Sequence, residues 1–229
     1  RRKDNTRNLL LYNFCRAGNS ALAKWFLEKY TIDISNNKIF INICKTADIE
    51  LVEWLIQQKP FNKINQDVFN KGLVSACWSE NANLKFVKYL EDKFNVTIST
   101  EYILELFYYC GEENITTIIK YFVEKYKIDI NQYYILNQTI LSFSCEMFAS
   151  LNFIKYLVED KKADIHKKND DGSTVLHIAC KRGNIEIIKY LIEDCMLDIN
   201  AVDSKGNTPL SVVKDIKIIN QLKEKEQEL

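Results

Sequence analysis

The sequence predicts a nearly all-α fold, a solenoid of stacked helix pairs, and three observations support this prediction. Only 6 Gly and 2 Pro occur in 229 residues, which is too little turn chemistry for a β-sandwich or barrel. Long segments such as NIEIIKYLIED carry apolar residues at helical spacing. The third observation is an internal repeat of about 33 residues, a length that two short helices and a loop fill.

Composition narrows the function classes. The chain is 47% hydrophobic and 27% charged, so it can bury a core. Lys+Arg and Asp+Glu both number 31, and this zero balance does not favour a nucleic-acid binder. No apolar run reaches the roughly 18 to 20 residues that span a bilayer. The chain begins RRKDNTRN, without Met or a signal-peptide pattern, so we expect a fragment of an intracellular, cytoplasmic protein.

The repeat is clearest in the second helix of each unit. Four segments are nearly the same: KWFLEKYTIDIS, KYFVEKYKIDIN, KYLVEDKKADIH and KYLIEDCMLDIN. Two weaker copies are EWLIQQKPFNKIN and KYLEDKFNVTIS. Their shared Ile falls at positions 34, 64, 98, 130, 165 and 199. We predict one domain over 1–229, with six repeats near 5–35, 36–66, 67–99, 100–132, 133–168 and 169–203 and a cap at 204–229.

Residues 172–210, GSTVLHIACKRGNIEIIKYLIEDCMLDINAVDSKGNTPL, resemble an ankyrin repeat followed by the start of the next one. The matching parts are Thr174 with LHIA, Gly183 after the first helix, IIKYLIE in the second helix, and the DIN motif. The five earlier copies keep the second-helix pattern but lack the TPLH box. The resemblance implies an ankyrin-like array that acts as a protein-interaction module.

Local signals agree with this resemblance. Pro209 after Thr208 can start a helix, and Gly183 suits a left-handed helix cap. The last residues, TPLSVVKDIKIINQLKEKEQEL, turn polar as a capping helix pair must. Eleven residues separate Ile165 from Leu176, and also Ile130 from Leu141, which allows hairpin-like loops, here called fingers. The first three connections are 6, 9 and 8 residues long, so the N-terminal half should consist of bare helix pairs.

Seven cysteines are present, an odd number without CxxC spacing, and we expect reduced thiols. Six of them occupy equivalent positions in the first helices: Cys15, Cys44, Cys77, Cys110, Cys145 and Cys180. Equivalent positions form a row in a stacked array, so we predict a buried packing row rather than a metal or disulfide site. Cys195 lies outside the row and is predicted to be the most reactive thiol. His177, in TVLH, resembles the family position that bonds loop backbone, so we assign it a structural role.

Two further rows run along the second helices. Aromatic residues form one row, predicted to be core between repeats: Trp25, Trp54, Tyr89, Tyr121, Tyr156 and Tyr190. Just before them stand Lys24, Glu53, Lys88, Lys120, Lys155 and Lys189. This mostly basic row is interpreted as solvated surface, with an acidic partner as the alternative.

The resemblance also implies a binding surface on the concave side, formed by the ends of the first helices and by the fingers. The candidates carried onto this sequence are Arg16, Lys45, Trp78, Glu112, Glu113, Glu146, Met147, Asp170, Asp171, Lys181, Arg182, Ser204, Lys205 and Asn207. The helix-end positions read basic, then Trp78, then acidic with Met147, then basic. We expect this order to select an oriented partner with Trp78 as its anchor, unless the indole folds back into the core.

The sequence contains no GxGxxG, GK[ST] loop, HExxH or GxSxG, so neither catalysis nor a cofactor or metal is predicted. The expected function is recognition of another protein by a chain that is monomeric in isolation. Three alternatives remain: a regulatory array for an enzymatic or effector domain outside this chain, nucleic-acid binding through the lysine row, and a structural spacer. Nucleic-acid binding would show strong salt dependence.

Overall fold

A computed structural model describes residues 2–30, 37–58, 65–79, 81–95, 97–109, 113–135, 137–147 and 149–213. In this part of the chain, α-helices follow one another as six pairs, as the sequence predicts. They are α1 (Arg2–Arg16), α2 (Ser20–Lys29), α3 (Asn37–Cys44), α4 (Ile49–Gln57), α5 (Gln66–Cys77), α6 (Leu84–Phe94), α7 (Thr100–Leu106), α8 (Glu113–Tyr126), α9 (Ile140–Glu146), α10 (Leu151–Lys155), α11 (Val175–Arg182) and α12 (Ile185–Lys189). Strands β1 (Tyr133–Ile135) and β2 (Gln138–Thr139) form an antiparallel hairpin in one of the 11-residue connections.

Most second helices begin at a side chain that caps them. The first free N–H groups of a helix lack an internal partner, and a short polar side chain supplies one. Asn19 accepts from Leu22 N at 3.0 Å, Asp48 from Leu51 N at 3.0 Å, and Asn83 from Phe86 N at 2.8 Å. Ser150 and Asn184 do the same for α10 and α12.

Two second helices end with an extra turn. α10 continues as a π-helical turn over Tyr156–Asp160, and α12 does so over Tyr190–Asp194. In each case a residue with positive φ follows, Lys162 at 57° and Met196 at 54°. This left-handed step lets Leu197 N donate to Leu191 O at 3.0 Å, which closes the helix end.

The chain forms two compact units. The first comprises Arg1–Leu106 with Asn114–Tyr126, and the second Phe107–Glu113 with Lys127–Leu229. Aromatic side chains fill both cores: Phe40, Phe69, Phe86 and Phe122 in the first, and Phe107, Phe143 and Phe153 in the second, each at most 1% exposed. No helix in the described residues has the length and apolar character needed to cross a membrane.

The predicted cysteine row is confirmed as buried packing. Its five described members are each at most 1% exposed: Cys15, Cys44, Cys77, Cys145 and Cys180. Cys110 lies outside the described residues. Burial raises the pKa of the Cys15 and Cys180 thiols to about 12. Cys195 is only partly buried.

The lysine row is not simply solvated surface. Three of its cations lie over the aromatic ring of the following helix pair: Lys24 Nζ is 5.7 Å from the Trp54 ring centroid, Lys88 Nζ is 5.0 Å from that of Tyr121, and Lys155 Nζ is 5.0 Å from that of Tyr190. Within each unit the lysine and aromatic rows therefore form a layer of contacts between successive helix pairs, because each of these cations meets the electron-rich face of a ring.

Carboxylates reinforce this layer. Tyr89 Oη donates to Glu53 Oε1 of the preceding pair at 2.7 Å, and Tyr190 Oη donates to Glu159 Oε1 at 3.0 Å. The prediction that the aromatic row lies between repeats is confirmed at Tyr190, which is 4% exposed and contacts Lys155 and Glu159 of the preceding pair. Tyr156 is also buried, at 8% exposed. It is wrong for Trp25, which is 51% exposed.

The predicted capping segment is described only at its start. A 3₁₀-helix, Leu210–Val212, follows Pro209, and Ser211 N donates to Thr208 Oγ1 at 3.3 Å. Residues 214–229, on which the rest of the predicted cap falls, lie outside the described part. Of the three short connections, the one after Ile98 leads into α7 without a hairpin, as predicted. The other two fall largely outside the described residues.

Candidate functional site

Two fingers in the second unit are closed by their own hydrogen bonds. In the first, Asn169 N donates to Ser173 O at 3.0 Å and Ser173 N donates to Asp171 Oδ1 at 3.0 Å. Gly172 turns this finger with φ +75°, and a Cβ there would stand 2.8 Å from the backbone N of Ser204. Glycine therefore allows the two fingers to touch, with Ser204 N donating to Asp171 O at 2.9 Å.

The second finger is organised by Asp203. Its Oδ1 accepts from the backbone N of Lys205 and of Asn207, both at 2.8 Å, and its Oδ2 accepts from Asn207 Nδ2 at 2.9 Å. Donation from the Asn207 side chain lowers the pKa of the Asp203 carboxyl below its usual value. The finger is thus held rigidly, and the Lys205 side chain projects from it exposed.

His177 joins the second finger to α11, which confirms its predicted structural role. The side chain is 2% exposed. Its Nδ1 accepts from Thr174 N at 3.2 Å, and Thr174 Oγ1 in turn accepts from His177 N, so the two residues form a reciprocal cap. On the other side of the ring, Nε2 lies 2.9 Å from Asn207 O.

Between these fingers, the hairpin and the ends of α9 and α11 lies a pocket of about 310 Å³. Its walls are Gln138, Glu146, Asn169, Asp171, Ser173, His177, Ile178, Lys181, Arg182, Asp203, Lys205, Asn207 and Val212. Six of these are candidates that the sequence predicted: Glu146, Asp171, Lys181, Arg182, Lys205 and Asn207. Folding has gathered them from three successive repeats.

One wall of the pocket is an internal ion pair. Arg182 Nη2 lies 2.8 Å from Glu146 Oε1, and Gln138 Nε2 donates to Glu146 Oε2 at 2.8 Å. The predicted charge order treats Glu146 and Arg182 as separate charges for a partner. The structure corrects this, because each is already partly neutralised by the other. The exposed cations of the rim are Lys181 and Lys205.

Two buried acceptors in this pocket lack a hydrogen-bond partner in the described part of the chain. They are the side-chain oxygens Gln138 Oε1 and Asn169 Oδ1. A buried polar atom without a partner is costly, and a ligand that brings N–H donors removes that cost. The pocket thus combines two unsatisfied acceptors with a rim that carries two exposed lysines.

Other predicted residues lie elsewhere. Asp170 is exposed on its finger and accepts from Asn137 Nδ2 at 2.6 Å, and Ser204 is exposed on the next finger. Met147 is the C-cap residue that follows α9. Glu113 is the exposed first residue of α8, and Glu112 lies outside the described residues.

In the first unit, Trp78 is the C-cap residue that follows α5 and is 45% exposed, so the alternative in which its indole folds into the core is wrong. Lys45 lies with its Nζ 4.0 Å from the Tyr12 ring centroid, and Arg16 is exposed at the end of α1.

Sequence reasoning missed several residues of the pocket, among them Gln138, Asn169 and Asp203. Gln138 precedes α9 in β2, and the 35-residue step from Cys145 to Cys180 places it at the position of Ser173 in the next finger. Among the described residues, no cluster of His, Cys, Asp and Glu is arranged to hold a metal ion.

Comparison with known proteins identifies the fold. Residues 141–228 match the family model described as ankyrin repeats in three copies. The solved ankyrin repeat domain of human ASB11 is similar in structure, with a TM-score of 0.61 at 17% sequence identity, and the match covers 92% of this chain and 94% of that one. No curated protein sequence matches the chain significantly.

Proposed function

Because the chain has the ankyrin-repeat fold and carries ankyrin repeats over residues 141–228, we propose that it is a protein-recognition module whose partner enters the pocket of the second unit. Ankyrin-repeat domains are usually non-catalytic and bind other proteins. The observation that supports this proposal is that six predicted contact residues from three repeats meet around a single pocket.

The chemistry of the pocket indicates what part of a partner fits. Gln138 Oε1 and Asn169 Oδ1 lack a partner in the described part of the chain, so they suit a side chain or backbone with N–H groups. Lys181 and Lys205 then face a carboxylate on the same segment. Such an arrangement selects a loop or strand that carries donors next to an acidic residue, since complementary charges fix its orientation.

Affinity capture with charge-reversed variants tests this proposal. The double variant Lys181→Glu, Lys205→Glu should lose at least about 90% of a partner that the parent chain retains, because both rim cations become repulsive. Lys189→Glu is the matched control, since Lys189 is an exposed lysine of α12 outside the pocket. Equal retention by the double variant and the control would contradict the proposal.

Trp78 is proposed as a separate anchor for a partner on the first unit. Its indole is exposed at the end of α5, and Trp is enriched among residues that dominate binding energy. Trp78→Ala should weaken partner binding by about 2 kcal/mol or more and leave the melting temperature nearly unchanged. A large loss of stability instead would show that the residue is structural.

The alternative of nucleic-acid binding can be tested with the same captured material. Steep loss of binding between 50 and 200 mM salt, on the order of a thousandfold, would indicate many phosphate contacts. A protein partner recognised through two rim lysines should lose much less, and nuclease treatment should leave it bound. The engagement of three row lysines with aromatic rings makes the nucleic-acid alternative weaker.

A further inference from the structure

The first helix pair exposes an apolar side chain whose equivalent is buried in every later pair. Leu22 on α2 is 42% exposed, whereas the equivalent residue of each later second helix is at most 3% exposed. These equivalents are Leu51, Phe86, Ile118, Phe153 and Ile187. They occupy the same position of the repeat as Leu22. Each of them belongs to a helix pair that has another pair before it.

Trp25 repeats the pattern one turn further along α2. It is 51% exposed, and its equivalents Trp54, Tyr121 and Tyr190 each receive a lysine of the preceding pair over the ring. Tyr89 instead donates its hydroxyl to Glu53 of the preceding pair. At this position a helix pair therefore contacts the pair that precedes it in the sequence.

Leu10 on α1 shows the same difference in exposure as Leu22 and Trp25. It is 41% exposed, whereas four of its five equivalents are buried: Ile39, Gly72, Ile140 and Val175. The fifth is the exposed Glu105. At Gly72 the neighbour is visible, since a Cβ there would stand 2.6 Å from Cε1 of Phe40 in the preceding pair.

In the second unit the same stacking is seen directly. Phe153, the equivalent of Leu22, has its ring centroid 6.0 Å from that of Phe107, which precedes it by one repeat. Burial at these positions thus comes from the preceding repeat. We name Leu10, Leu22 and Trp25 the N-terminal stacking face.

We propose that the N-terminal stacking face receives a further helix pair of the same repeat type, carried before it on the same polypeptide. A terminal repeat that ends an array carries a polar outer face, and this one is apolar. Its residues Leu10, Leu22 and Trp25 correspond most closely to Ile39, Leu51 and Trp54, the face that receives the first pair. The occupant therefore resembles the first pair itself and brings a basic residue over the Trp25 indole, as Lys24 does over Trp54.

A second copy of the chain fits this face less well. Two copies meeting through the same surface would set Trp25 against Trp25, since an isologous contact pairs a patch with itself. No lysine of the layer would then reach either ring, because Lys24 already lies over Trp54.

A tandem duplication tests the proposal on the full chain. Residues 5–35 are added once more directly before residue 5, which sets the two copies of Ile34 31 residues apart, close to the 30-residue step from Ile34 to Ile64. The extended chain should melt at least about 4 °C higher, and the amides of α2 should exchange more slowly, because nearest-neighbour stacking adds stability.

Leu22→Glu supplies the matched variant. In the parent chain it should shift the melting temperature by no more than about 2 °C, because the side chain is exposed. In the extended chain, the same change in the original copy should abolish the gain. An extended chain with unchanged melting temperature and an unprotected added segment would overturn the proposal.

Two further results decide the source of the occupant. In the natural gene, the codons before Arg1 should encode a basic residue followed by an aromatic one about 30 residues before Lys24 and Trp25. A sequence without that pair would overturn the proposal. So would a concentration-dependent dimer of the parent chain, seen by sedimentation and abolished by Leu22→Glu, because the occupant would then be a second copy.

Discussion

The first and the last complete helix pairs carry nearly the same second-helix motif, KWFLEKYTIDIS and KYLIEDCMLDIN, yet differ in burial. Leu22 and Trp25 are 42% and 51% exposed, whereas their equivalents Ile187 and Tyr190 are 0% and 4% exposed. The last pair also has closed fingers on both sides of α11. The difference shows that burial in this chain depends on the neighbouring repeat as much as on the repeat's own sequence.

The largest expected difference concerns thiol reactivity. Under native conditions a thiol reagent should modify Cys195 at least about a hundredfold faster than Cys180, because a buried thiol reacts only when its repeat opens. Among the buried thiols, Cys15 should react before Cys180, since its helix pair has a neighbour on one side. Mass spectrometry of labelled peptides at successive times measures these rates.

Hydrogen exchange provides an independent measurement of the same unevenness. The first two helix pairs should open before the repeat at residues 174–200, where fingers and caps add contacts. Equal labelling of Cys15 and Cys180, together with uniform amide protection, would show that the array opens as one cooperative body. The first and last helix pairs would then not differ in their free energy of opening.

Next in size is a matched pair of core truncations. Ile187→Ala should lower the free energy of unfolding by about 2 to 5 kcal/mol, because it leaves a cavity at a fully buried position. Leu22→Ala, at the equivalent position of the first pair, should cost no more than about 0.5 kcal/mol. Urea denaturation of both variants measures the two costs, and similar costs would break the comparison.

A smaller effect is expected at the capping histidine. His177→Ala removes the reciprocal bonds with Thr174 and the contact to Asn207 O, and should cost about 2 kcal/mol. His166→Ala, in an exposed loop position, is the control and should be nearly neutral. Thermal denaturation of both proteins measures this, and equal stability of the two variants would remove the structural role of His177.

Positional rows made much of the fold predictable. The cysteine row, the six helix pairs and the role of Gly183, whose φ is 77°, all follow from side chains that recur with the repeat. The same reasoning wrongly predicted that Trp25 is buried, because a row predicts burial only where a preceding repeat is present. The sequence shows the position of a residue in its repeat, whereas the burial of its side chain also depends on whether a preceding repeat packs against it.

The candidate site was predictable in its residue types but not in its pairings. Asp171, Lys181 and Lys205 were found because the finger and helix-end positions of the family motif indicate exposed side chains. Pairing of Glu146 with Arg182 joins residues 36 positions apart, and their side-chain conformations decide it. Gln138 was missed because its finger lacks the TPLH motif that identifies the later ones.

The smallest expected effect concerns the layer between α10 and α12. Tyr190→Phe keeps the buried ring and removes the hydroxyl that donates to Glu159, so it should cost about 1 kcal/mol. Lys155→Met removes the cation over the ring and should cost about 0.5 to 1 kcal/mol. A double-mutant cycle measures their coupling, which should be a few tenths of a kcal/mol or more since both act on one ring.

The stability difference between the parent chain and Tyr190→Phe should also change with pH, in a direction that the pKa of Tyr190 determines. Burial first, and then hydrogen bonds to Cys195 and Glu159, raise the pKa of Tyr190 above its ordinary value. A raised pKa stabilises the folded state below the unfolded pKa, near 10, and this stability is lost as pH rises towards the folded value. The advantage of the parent chain over Tyr190→Phe should therefore shrink above about pH 10. A difference that stays constant or grows between pH 9 and 11 would mean that the hydroxyl does not share its proton with the Glu159 carboxylate, and the layer would then rest on the ring and Lys155 alone.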